Sequence, residues 1–148
     1  MGDLVQWLRA QLDEDERIAR AAMWCEDAAA WRAAASEYGT PTRPDGPRWY
    51  IEDSLEDGVI RTVDPQASDD EGVARHIAEH DPARVLREID AKRQVIDLHA
   101  PGQMEYVDGD VCMACDVRGG EPFYPCKTLR LLALPYAARP GYREEWRP

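Results

Sequence analysis

The chain has 148 residues, with 18 basic and 29 acidic side chains and a net charge of −11. Phosphate is repelled by so acidic a surface, which argues against direct nucleic-acid binding. Ten Leu, nine Val, six Ile and one Phe are a low aliphatic content, in the range where highly charged chains struggle to fold. Five Trp, six Tyr and four Cys point the other way, to a folded but thinly cored protein that gains from an extra staple. The length predicts one domain, 1–148, and the charge divides it into two halves. Residues 1–81 hold 19 acidic and 8 basic side chains, whereas residues 82–148 hold ten of each. The acidic half reads as a solvated surface or as a face that docks a basic protein. The start, Met1-Gly2-Asp3-Leu4, has no basic region and no long apolar run, and no window approaches a membrane span. The expectation is a cytoplasmic protein, where clustered cysteines bind metal more often than they form disulfides.

In chain order, Asp3 caps a helix running to about residue 22. Leu4, Trp7, Leu8, Leu12, Ile18 and Ala19 recur along it at helical steps. Trp24, Ala28, Trp31, Ala35 and Tyr38 continue the helical spacing to Gly39, as the same helix or a second one. Residues 39–47 are a Pro- and Gly-rich loop. Arg48–Glu52 and Gly58–Val63 read as a β-hairpin turned at Glu56-Asp57-Gly58, and two strands alone must pack on helices. An acidic connector, 64–72, leads to a short helix from about Glu71 to Glu79. Asp81-Pro82 is the clearest helix start, with Asp81 as cap and Pro82 at the first helical position, and that helix runs to about His99. A turn-rich stretch spans Ala100–Pro125. A compact apolar helix covers Thr128–Leu134, and Tyr136, Tyr142 and Trp146 pack the tail back onto the body. The fold class is mainly α with a small β-hairpin (α+β), its C-terminal half a helix–zinc knuckle–helix.

The chemistry concentrates in that half. Cys112-Met-Ala-Cys115 is a CxxC pair, Cys126 follows ten residues on, and His99 precedes Cys112 by twelve. A two-residue spacer turns both thiolates toward one ion, and Cys126 and His99 complete the tetrahedron that zinc prefers. Three thiolates and one imidazole form a closed site, structural rather than catalytic. Asp116, His76 and His80 are alternatives for the fourth ligand. Three reduced core cysteines with a helix-capping His99 is the plainer reading. Cys25, remote in sequence, reads as a small buried residue. Structural zinc contributes on the order of 10 kcal/mol of apparent folding free energy, comparable with a small domain's whole stability.

His76-Ile-Ala-Glu79-His80 matches H-x-x-E-H, which would set two ligands and a general base on one helical face. Asp81-Pro82 disrupts the helix directly after it, and the only third ligand nearby in sequence is Glu88. Polar residues closing a short helix is the plainer account. No Gly-rich phosphate loop or G-x-S-x-G is present.

Several stretches together resemble an uncharacterised family of small actinobacterial and actinophage proteins. These are Asp3-Leu-Val…Leu8-Arg-Ala…Leu12-Asp-Glu-Asp-Glu, His76-Ile-Ala-Glu-His-Asp-Pro-Ala-Arg-Val-Leu-Arg-Glu-Ile-Asp-Ala-Lys-Arg, Tyr124-Pro-Cys-Lys-Thr-Leu-Arg-Leu-Leu-Ala-Leu-Pro-Tyr and the Pro-Gly-Tyr-Arg-Glu-Glu-Trp tail. They cover roughly half the chain. The resemblance implies that Cys126, an upstream Cys and His99 occupy recurring positions and that Glu79 does not, and it implies no activity or partner. The expected function is a non-catalytic protein-interaction or regulatory module held by structural zinc. The alternatives are a metal-dependent hydrolase using His76, Glu79 and His80, and an acidic mimic binding a basic partner through residues 13–16 and 52–71. The sequence leaves the partner's identity and the oligomeric state open.

Overall fold

A computed structural model describes residues 3–37, 39, 44–65, 69–115 and 123–148. Among the described residues the fold is α+β, with four α-helices and a small antiparallel sheet. Contacts divide the chain into two compact units, Glu16–Arg87 and Met1–Asp15 with Glu88–Pro148.

Helix α1 spans Asp3–Ala21, close to the expected bounds. Leu4, Val5, Leu8, Leu12 and Ala19 are buried along it, as the helical spacing requires. Ile18, expected in the same stripe, is instead half exposed.

The helical expectation is wrong for residues 24–37; Tyr38, its last position, lies outside the described residues. A 3-10 turn at Glu26–Ala28 leads into strand β1, Trp31–Ser36. Alanine is the strongest helix former, but propensity is a weak constraint, and pairing and packing override it here. β1 pairs antiparallel with β2, Arg48–Asp53, with Trp31 opposite Asp53 and Ala33 opposite Ile51. The Trp31 N–H also donates to the Asp81 carboxylate at 2.9 Å, fixing the strand's start. The expected hairpin, β2 with β3 (Gly58–Val63), forms, so the sheet has three strands in the order β1-β2-β3. Its register shifts between Trp49 and Glu52. Glu56, not Gly58, carries the positive φ of the turn. Asp53 organises that turn by accepting from the Leu55 and Asp57 amides at 2.9 and 3.1 Å.

Helix α2, Asp70–Glu79, is capped by Asp69, whose carboxylate accepts from the Gly72 amide. It covers the sheet, and Ile51, Val63 and Ala74 form a core with Trp31, Ala33, Trp49, Val73 and Ile77 packed against it. Helix α3, Pro82–Leu98, begins as its sequence requires, the Asp81 carboxylate accepting from the Arg84 amide at 2.7 Å.

In the other unit, a two-stranded ribbon of β4 (Pro101–Gly102) and β5 (Val111–Cys112) precedes helix α4, Lys127–Ala133. Two 3-10 turns follow, Leu134–Tyr136 and Glu144–Trp146. The tail packs back as expected. The Trp7 indole donates to the Pro140 carbonyl and stacks with Tyr142 and Trp146 at 5.7 and 5.5 Å. Gly141 has φ +84°, and a Cβ there would lie 2.9 Å from the Trp7 indole nitrogen, so any other residue would be strained and would displace the Trp7 ring. The Tyr136 hydroxyl donates to Asp15, which also pairs with Arg139.

Candidate metal centre

Three backbone pairings bring the four expected ligands together. His99 follows α3 directly, its amide still bonded to the Val95 carbonyl. The Met113 amide donates to Ala100, and Pro101 pairs with Cys112, so β5 returns beside His99. Val111 bridges Phe123, and the Tyr124 amide donates to Asp110, which draws the third segment alongside. Cys126 then N-caps α4 without a side-chain hydrogen bond to the helix, its sulfur turned into the cluster.

The metal-facing atoms of His99, Cys112, Cys115 and Cys126 lie within 4.8 Å of one another. His99 Nδ1 is 3.3, 3.7 and 3.4 Å from the sulfurs of Cys112, Cys115 and Cys126. One imidazole nitrogen carries at most one proton, so hydrogen bonding accounts for one such contact and not three. Zinc–sulfur bonds of about 2.3 Å and a zinc–nitrogen bond of about 2.0–2.1 Å span N···S edges of about 3.5 Å in a tetrahedron. The three distances fall on that edge length, so the donor set and its spacing fit a zinc ion. All four cysteines, Cys25 included, are free thiols.

Cys112 and Cys126 are buried, and His99 and Cys115 are half-buried. Burial, reinforced by the neighbouring Cys112 and Cys126 sulfurs, pushes the Cys115 thiol up to about 12. Burial also opposes ionisation of Cys112, but the Ala114 and Cys115 amides and the adjacent thiols outweigh it and hold that thiol below its ordinary value. Sequence spacing did not single out Tyr124. Burial raises its phenol, and Cys112, Cys126 and Asp110 add to the rise against the opposing charge of Arg9.

The other ligand candidates do not join the cluster. Asp116 lies outside the described residues, as do Gly119 and Gly120. His76 and His80 sit in the other unit with rings 4.4 Å apart. His80 closes α2, and its Nδ1 lies 2.8 Å from the His76 carbonyl. Among the described residues these histidines and Glu79 form no metal-ligand group. Cys25, between α1 and the 3-10 turn, is half-buried and apart from the cluster. No described helix is long and apolar enough to cross a membrane.

No curated protein and no solved structure matches the chain. One family does, a family of unknown function (DUF6221), over residues 1–148. The chain belongs to that family along its whole length.

Proposed function

We propose that the protein is a non-catalytic interaction module whose C-terminal segments are held by one structural zinc ion. His99, Cys112, Cys115 and Cys126 are its ligands. The observation that carries this reading is the single imidazole nitrogen set at tetrahedral-edge distances from three sulfurs. Four protein ligands leave no coordination position for water or substrate, which is the arrangement of a structural site. The ion ties the end of α3, strand β5 and the start of α4, three segments that are otherwise joined, among the described residues, by a short two-stranded ribbon, a bridge and a few backbone hydrogen bonds. The acidic excess of residues 1–81 supplies the docking face for a basic protein partner, and a reducing cytoplasm keeps the thiols available.

Metal content of freshly purified protein tests the reading. The expected result is one zinc per chain in the wild type and in His76→Ala, and its loss with partial unfolding in Cys126→Ser. A metal lost in His76→Ala and kept in Cys126→Ser would move the site to the histidine pair and support a hydrolase instead.

A further inference from the structure

A cleft of about 380 Å³ opens in the unit that holds the cysteine cluster, on a different set of side chains. Its walls are largely apolar, from Leu4, Phe123, Tyr124 and Trp146. Phe123 is more than half exposed. Four charged groups line the same cleft: Asp3, Arg130, Arg143 and Glu145. Three of them satisfy one another. Arg143 lies 3.0 Å from Asp3 and 3.5 Å from Glu145, and its guanidinium stacks over Trp146 at 5.2 Å. Arg130 is left over. Its Nε is buried without a hydrogen-bond partner, and no described carboxylate pairs with it. A half-buried guanidinium with no ion pair to a described carboxylate, beside an apolar wall, is an arrangement that a ligand carboxylate completes at its accessible end. The size and lining, mostly apolar with a few polar groups, are those of a small-molecule site.

We propose that this cleft binds a small carboxylate with a flat apolar body, an aromatic acid in chemical class. The carboxylate pairs with Arg130, and the ring lies against the exposed Phe123.

The test titrates the purified full-length chain with 2-naphthoate and with its neutral isostere 2-naphthamide, followed by nuclear magnetic resonance of amide, indole and guanidinium N–H groups. The expected result is saturable 2-naphthoate binding that shifts the Trp146 indole and Arg130 Nε–H signals. The amide should bind at least about tenfold more weakly, the effect of losing one charge-assisted hydrogen bond. Arg130→Gln should reduce 2-naphthoate to the level of the amide. Glu145→Gln, at an exposed position, removes a competing carboxylate and should tighten 2-naphthoate without changing the amide. Equal binding of acid and amide, absence of 2-naphthoate binding, or an affinity unchanged in Arg130→Gln would overturn the proposal. Should Arg130→Gln fail to fold, Glu145→Gln decides, and the absence of tightening counts against the site.

Discussion

Asp53 and Asp81 are buried carboxylates, Asp53 held by backbone and indole N–H groups and Asp81 by two backbone amides. Asp53 accepts from the Trp24 indole as well as from two turn amides. Burial alone would raise its pKa, and these hydrogen bonds more than compensate, leaving it below its usual 3.8. A carboxyl with a lowered folded-state pKa stabilises the fold above its unfolded pKa, and that contribution disappears as pH falls through the folded value. Wild-type stability should therefore decline as pH drops below about 3.8, and an Asp53→Asn variant should show a flatter decline in denaturant titrations across that window. Asp81→Ala removes both the α3 cap and the partner of the Trp31 amide. It should cost about 1–3 kcal/mol in chemical unfolding, the range for a lost cap plus an orphaned buried donor. The capping role of Asp81 was legible because Asp-Pro before an apolar periodic run is a local signal. Its second bond to Trp31, 50 residues away, depends on tertiary placement that no local pattern encodes.

Helices α1, α2 and α3 were legible for the same reason: caps and periodicity lie within a few residues of one another. β1 was not. Ala33, Ala34 and Ala35 are helix formers, and Trp24, Ala28, Trp31 and Ala35 sit at helical spacing, so local preference pointed to a helix. The chain instead forms a strand because β2 offers a ladder of backbone partners and α2 covers Trp31 and Ala33. Ala35 is exposed near the end of that strand, on the face of Trp31 and Ala33. Ala35→Thr should stabilise the protein by a few tenths of a kcal/mol, since β-branched residues suit strands. In a helix the same change would cost up to about 0.7 kcal/mol. Equilibrium unfolding of the two proteins separates the outcomes by sign. The ribbon of β4 and β5 is only two residues per strand, too short for any periodic signature, and the CxxC spacing was what marked its place.

At the scale of the whole molecule, the sequence showed a chain rich in charge, short of large aliphatics and carrying three cysteines and a histidine at ligand spacing. The fourth ligand is the open question: among the described residues His99 Nδ1 lies 3.3–3.7 Å from all three sulfurs, whereas Asp116 lies outside them. Arg130 and its cleft could not be read in advance, because the lining residues come from both ends of the chain. In the metal-free protein Cys115 is protonated at neutral pH, its thiol pushed up to about 12, so zinc entry displaces at least that proton. Zinc affinity should then rise with pH, about tenfold per unit for each proton released, in competition titrations against a chelator. The central claim is that one zinc ion is held by one imidazole and three thiolates. X-ray absorption at the zinc edge of the purified protein tests it most directly. The account expects three sulfurs at about 2.3 Å and one nitrogen at about 2.0–2.1 Å. A zinc shell of nitrogen and oxygen alone, or protein that folds fully with no zinc bound, would contradict it.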